Sequence, residues 1–281
     1  MEFSLINELQ RKAAKIRMHI VDSVYCAGSG HPGGSLSIAE ILSVLYFHEM
    51  KLEPNNPMWA DRDRFVLSKG HAAPAYYAAI AEKGYIPVEE LKNLRKIDSI
   101  LQGHPDMKKI PGIDMSTGSL GQGLSAANGM ALVGKADQKD YRVYAIVGDG
   151  EIQEGQIWEA VMTAAHYKLD NLTVFLDHNG LQIDGNVTQV MSPYPLKEKF
   201  SAFGWNVIEI DGNDIAQIMN AIQEAKQVKD MPTVIICNTV KGKGVSFMEN
   251  QVGWHGAAPS KEQYDMAIGE LQETLKKLEG E

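Results

Sequence analysis

With 281 residues, 44% of them hydrophobic and 22% charged, the chain is long enough to bury a substantial core. A net charge of −9 with no Lys/Arg run leaves no electrostatic footprint for a nucleic acid. Two distant cysteines, Cys26 and Cys237, argue against a disulfide framework and lack metal or redox spacing, and no apolar run reaches membrane-spanning length.

The first element is an amphipathic helix: Leu5, Leu9, Ala13, Ile16, Ile20 and Val24 recur every three to four residues with charges between. A charged helix at this end is not a signal peptide, so a cytoplasmic protein is expected. Next comes GSGHPGGS, 28–35, in which Gly28, Gly30 and Gly33 spell the dinucleotide fingerprint G-x-G-x-x-G. That fingerprint works only where a strand enters and a helix leaves. Here a helix enters, and Pro32 removes an N–H from the loop, so no nucleotide is implied. The sequence predicts helices over 37–50, 73–84 and 88–96, with a short strand at 65–67. Beyond them, YRVYAIVGDG (141–150), NLTVFLDHNG (171–180), WNVIEIDG (205–212) and PTVIICNTV (232–240) read as strands. Helices are predicted over 154–168 and 214–228, with a last amphipathic helix from about Ser260. Strands alternating with helices, several of them apolar without alternation, predict one α/β domain over 1–281: a parallel sheet covered by helices on both faces.

In such sheets ligands bind beyond the carboxyl ends of the strands. One strand delivers Gly148-Asp149-Gly150, and the next delivers Asp177-His178-Asn179-Gly180-Leu181. A carboxylate, an amide oxygen and a carbonyl are hard oxygen donors, suited to Mg²⁺ or Ca²⁺ rather than zinc. Gly150 opens the following helix, where a backbone N–H can meet a phosphate. Each piece alone also fits an ordinary turn; their placement at successive strand ends is what points to a site. GMALVGK, 129–135, imitates a P-loop, but Ala136 replaces the Ser/Thr and the segment is helical, so it is discarded. Of the eight histidines, His31, His71, His104 and His255 lie beside small or turn-forming residues, with a glycine next to each. His19, His48 and His166 fall in helical segments and read as structural, and the direction of His178 is left open.

Taken together, SGHPGGSLS, LSKGHAAPAYYA, GHPD, STGSLGQGLSAANGMA, GDGEIQEGQIWEA and DHNGLQIDG resemble the N-terminal part of transketolase, in the family's order and over essentially the whole chain. The resemblance implies a thiamine-diphosphate-binding fold and transfer of a two-carbon ketol unit between sugar phosphates, as in pentose phosphate interconversion. It implies that Asp149, Asn179 and the Leu181 carbonyl hold the divalent cation and that Gly150 binds the diphosphate. His71 and His255 would approach the diphosphate and thiazolium. The Gly118 carbonyl and the Leu120 side chain, in Gly118-Ser119-Leu120, would contact the aminopyrimidine. His31, His104 and His255 would line the ketose site, the glycines around His31 letting the sugar come close. Glu154 and Glu159 match acidic residues that link paired active sites. The 1-deoxy-xylulose-phosphate synthases share GDG and its Asn but differ around His-Pro and Lys-Gly-His.

Transketolases are about twice this length, and their second half supplies the pyrimidine domain with its activating glutamate. The resemblance therefore implies that the cofactor lies at an interface with a C-terminal transketolase subunit, in a heterotetramer with two copies of each chain. The alternative is a non-catalytic regulatory partner that keeps only the cofactor site. Retention of the histidines and coupling glutamates favours the catalytic half.

Overall fold

The computed structural model describes residues 2–280. Strands β1 (Arg64–Leu67), β2 (Val143–Gly148) and β3 (Leu172–His178) are followed by a small antiparallel hairpin, β4 (Leu181–Gln182) and β5 (Gly185–Asn186), and then by β6 (Asn206–Asp211) and β7 (Thr233–Asn238). The main sheet is five-stranded and parallel throughout, in the order β1-β2-β3-β7-β6. Helices α1 (Glu2–Ala27), α2 (Gly33–Leu36), α3 (Ala39–Val44), α4 (Ala73–Lys83), α5 (Gln122–Ala136), α6 (Gly155–His166), α7 (Val187–Val190), α8 (Leu196–Ala202), α9 (Ile215–Gln227) and α10 (Lys261–Glu279) surround it.

Side chains alternate across a strand, so the apolar runs of β2, β3 and β7 feed two cores at once. Tyr144, Ile146, Phe175, Ile235 and Cys237 join the layer containing residues of α1, α3, α4 and α9. Val143, Ala145, Val147, Leu172, Val174, Leu176, Val234 and Ile236 pack in the other layer, with residues of α5, α6 and α8. The expected sheet with both faces covered is what the chain forms. In α1, Leu9, Ile16, Ile20 and Val24 are buried as the periodicity requires. The final helix begins as predicted: Ser260 caps α10 in a reciprocal capping box with Gln263.

Two predicted helices take other forms. The 37–50 segment is broken at Ile38 (φ −106°, ψ 12°) and continues as α3 and a π-turn over Leu45–Glu49. Just before the break, the Ser37 hydroxyl donates to Asp177 across the fold. The 88–96 segment is a 3-10 helix, Val88–Asn93. Its apolar residues Val88, Leu91 and Leu94 are spaced by three, the 3-10 period, and Leu91 and Leu94 are fully buried. The β4–β5 hairpin and α8 were not foreseen.

Candidate active site

The sheet order places the carboxyl ends of β1, β2, β3 and β7 side by side. A cleft of about 320 Å³ opens above them, and its walls include His31, His71, Leu120, Asp149, Asn179 and His255. Gly118, Gly150, Glu154 and Leu181 also border it.

The floor is an ion pair. Asp177, at the end of β3, is completely buried and accepts from Lys69 Nζ at 2.6 Å. It also accepts from Ser37 Oγ at 2.8 Å, from Asn179 Nδ2 at 2.9 Å and from Thr239 Oγ1. Burial pushes this carboxyl up, but the Lys69 charge and these hydrogen bonds outweigh it and hold the group below its ordinary value. Glu151, equally buried, accepts from Ser68 Oγ and from the N–H groups of Gly121 (2.9 Å) and Gly148 (3.0 Å). It thereby ties the ends of β1 and β2 to the start of α5.

On this floor stand the expected cation ligands. Asp149 is 2% exposed; its carboxylate accepts from the N–H of Gly150 (2.8 Å) and of Gly180 (2.6 Å). Burial, then the neighbouring Asp177 charge, raise its pKa to about 6. Asn179 turns its NH₂ to Asp177, which fixes its amide orientation and leaves Oδ1 accepting from the Leu181 N–H at 3.1 Å. The Leu181 carbonyl accepts from Lys241 Nζ at 3.1 Å, and a carbonyl oxygen keeps a second lone pair. Among the described residues no group of three His, Cys, Asp or Glu side chains could hold a metal. The donors here form a mixed carboxylate, amide and carbonyl oxygen set, which fits a hard cation that keeps other positions for water or phosphate oxygens.

Three imidazoles form the facing wall. The ring centroids of His31 and His71 are 5.3 Å apart, those of His31 and His255 5.5 Å, and those of His71 and His255 5.2 Å. Burial is the main cause holding all three neutral. His31 is lowered to about 4, with Arg95 the next cause; His255 to about 3, with Lys241 next; His71 falls well below its ordinary value, with Lys69 next. Lys241 is itself buried and lowered to about 8 by burial and by Lys69.

Not every expected residue reaches the cleft wall. His104 is exposed and packs beside Gly118, its Cγ 3.0 Å from where a Cβ on that glycine would lie. Its pKa is lowered by burial and Arg95. Ser119 and Glu159 are exposed and do not border the cleft, and Glu154 sits at its rim. His178 points elsewhere, to Asn238 Oδ1 (2.7 Å) and the Tyr194 hydroxyl. The glycines beside His31 also need a different explanation. A Cβ at Gly30 would lie 2.8 Å from Val24, and one at Gly33 would lie 2.8 Å from the Trp254 carbonyl and 3.2 Å from Lys241. These glycines let the loop pack against α1 and the segment carrying His255. They serve close packing within the chain rather than room for a sugar. Lys69, Asp177, Glu151 and Lys241 were not anticipated. The only sequence signal was Lys beside Gly in SKGH and VKGKG, which alone says little.

Residues 9–271 match the family described as transketolase, thiamine diphosphate binding domain. The chain belongs to the transketolase family. It is 48% identical over 265 residues to the 6-deoxy-6-sulfo-D-fructose transketolase subunit SqwG of Clostridium sp. (strain MSTE9), covering 94% of this chain and 96% of that one. It is 42% identical to an apulose-4-phosphate transketolase subunit of Phocaeicola vulgatus, over 98% of both chains. Human transketolase is 45% identical over 95% of this chain, which spans only 42% of that enzyme. The crystal structure of Campylobacter jejuni transketolase superposes with a TM-score of 0.88 at 34% identity, covering 96% of this chain and 45% of that one. In fold and enzyme class the chain is thus the thiamine-diphosphate-binding N-terminal subunit of a transketolase, a thiamine-diphosphate-dependent transferase.

Proposed function

We propose that this transketolase subunit holds the diphosphate end of thiamine diphosphate through a divalent cation, Mg²⁺ or Ca²⁺, on Asp149, Asn179 and the Leu181 carbonyl. The observation that carries this reading is the meeting of these three oxygen donors and three neutral histidines in one cleft. Gly150, whose N–H is held by Asp149, and His71 face the diphosphate, with Lys69 and Lys241 supplying positive charge beneath it. The Gly118 carbonyl and the Leu120 side chain support the aminopyrimidine, with Ser119 between them. When bound, the cofactor supplies the nucleophilic carbon that lets the ketose C2–C3 bond break.

His31 and His255, from the cleft wall, and His104, exposed beside the cleft-lining Gly118, hydrogen-bond the hydroxyls of the ketose and orient the bond to be broken. Their neutrality near pH 7 suits this, because a neutral imidazole offers both a donor and an acceptor. Glu154 at the rim and Glu159 on the exposed face of α6 couple paired sites across a contact between protomers. We read residues 1–281 as one domain and the protein as cytoplasmic. The partner is a C-terminal subunit with the pyrimidine domain, in an assembly of two copies of each chain. The substrates are sugar phosphates. One relative is named for a sulfonated fructose and another for apulose 4-phosphate, which supports extending the substrate reading to sugars outside pentose phosphate interconversion.

The test is a coupled assay of ketol transfer with thiamine diphosphate and Mg²⁺, with and without a candidate C-terminal partner chain, together with sedimentation. Activity should appear only on mixing, together with the larger species. Full transfer by the isolated chain would refute the split-enzyme reading. Cofactor binding by the mixed assembly without transfer of any ketose would favour the regulatory alternative.

A further inference from the structure

Arg95 has entered so far only as a charge near His31 and His104, yet the fold delivers it there at some expense. It follows the 3-10 helix with φ +60°, a backbone conformation that a residue with a side chain rarely adopts. Its N–H is tied to the Leu101 carbonyl at 2.8 Å. The half-buried guanidinium then lies flat against Gly103, where a Cβ would come within 3.2 Å of Cζ. From that seat Nη1 donates to Ser29 Oγ at 2.8 Å, and Nη2 lies 3.3 Å from His31 Nδ1.

The chemistry of that last contact is one-sided. A guanidinium has five N–H donors and no acceptor, and it stays charged at any ordinary pH. The ring nitrogen facing it must therefore present a lone pair. In a neutral imidazole the proton then sits on the other nitrogen. That other edge of His31, Nε2 and Cδ2, lies 3.6 Å from the position a Cβ on Gly256 would take, beside His255, which with His31 lines the cleft.

We propose that Arg95 is a positioning residue that locks His31 in the Nε2–H tautomer, so that His31 meets its ligand as a hydrogen-bond donor. Resting on the transketolase reading, the ligand atom is a hydroxyl or carbonyl oxygen of the ketose, and His31 orients that oxygen rather than taking a proton from it. The groups that face the ring are Arg95, His104, Lys241, His71 and His255. None is an acid, so nothing nearby favours a second proton on it.

The full-length chain carrying ¹⁵N-imidazole histidine reports the tautomer directly, with the His31 signals assigned by their loss in His31→Gln. The wild-type chain at neutral pH should show a pyridine-like Nδ1 and a pyrrole-like Nε2. Arg95→Met keeps the length of the stem without the donors and should give averaged signals of mixed tautomers. Arg95→Lys, still a donor-only cation, should restore the wild-type pattern. In the mixed assembly Arg95→Met should lower kcat by about tenfold, a fraction of what a general acid–base contact supplies, and Arg95→Lys should recover most of it. A pyrrole-like Nδ1 in the wild type, or an unchanged His31 spectrum in Arg95→Met, would overturn the proposal. Should Arg95→Met fail to fold, the wild-type and Arg95→Lys spectra decide it. The spectra need neither partner nor substrate. A wrong tautomer therefore leaves the transketolase reading standing, and absence of ketol transfer with the right tautomer counts against that reading alone.

Discussion

The floor of the cleft and its rim are built on opposite plans. In the floor, Asp177 and Lys69 are 0% and 2% exposed, and every oxygen of Asp177 and Glu151 has a donor from this chain. At the rim, which Glu154 borders, Ile183 stands 66% exposed, Met191, whose carbonyl accepts from Gln153, is 62% exposed, and His104 is exposed. The floor is complete within one polypeptide, because a buried charge is tolerated only when all its partners are present. The rim, by contrast, leaves apolar side chains in water, which a covering surface would bury at no cost in lost hydrogen bonds. The comparison teaches that the floor belongs to this chain's own stability, whereas on the proposed reading the rim is the substrate half, which the second subunit completes.

The floor should therefore give the largest response to mutation. Lys69→Met leaves the Asp177 carboxylate buried without its countercharge, and breaking a buried pair in this way costs about 3–5 kcal/mol. Chemical denaturation of the isolated chain measures it. A loss below about 1 kcal/mol would mean that Asp177 is satisfied by its three other donors and that the Lys69 countercharge adds little to the floor.

The next largest effect is on the cofactor. Asp149→Ala removes the charged member of the oxygen set, and loss of groups merely supporting a metal ligand already costs about 10–100-fold in affinity. Mg²⁺-dependent thiamine diphosphate affinity in the assembled enzyme should fall by more than about a hundredfold, read by calorimetry, with Asn179→Ala acting in the same direction. Unchanged affinity would remove both residues from the cation site. His31→Ala belongs to the rim side of the comparison. It should cost about a hundredfold in ketose turnover, the lower end for such contacts, while cofactor affinity stays nearly intact. His104→Ala, at a residue that does not line the cleft, should cost less than His31→Ala. The reverse order would show that covering the rim reshapes the histidine wall.

Much of this was legible in the sequence, and the boundary has a physical cause. The uninterrupted apolar runs of β2, β3 and β7 announce strands buried on both faces, and that topology puts Asp149 and Asn179 on neighbouring strand ends without further information. Lys69, Lys241 and Arg95 were illegible because their partners are far away in the chain. Lys69 and Asp177 are 108 residues apart, and Arg95 and His31 are 64 apart. No local pattern encodes such pairings. The same holds for Gly33, whose neighbour Trp254 comes from near the other end of the chain, whereas the Val24 that crowds Gly30 is only a few residues away. The β4–β5 hairpin escaped because strands of two residues carry no periodicity to detect.

The smallest expected effect is a pH dependence of stability, and it comes from the histidine wall. His31 titrates near 6.5 when unfolded and near 4 in the fold, chiefly because burial disfavours its charged form. Between those values the unfolded chain binds more protons than the native one, so stability falls as the pH is lowered from about 6.5 towards 4. His255, lowered to about 3, acts in the same direction. Asp149 acts in the opposite one: with its pKa raised to about 6, its protonation in the fold favours the native state as the pH falls through that value. The net slope of the whole chain therefore mixes signs, and only a difference between variants isolates the wall. His31→Gln removes one titrating ring while keeping a hydrogen-bonding side chain. It should lose less stability than the wild type between pH 6.5 and pH 4. Because the ring is only about half buried, solvent screening holds the difference to on the order of 1 kcal/mol. Denaturation midpoints at the two pH values, for wild type and variant, measure it. Identical slopes would mean that the ring titrates as it does in water, and that the cleft around His31 is wetter than its three packed imidazoles suggest.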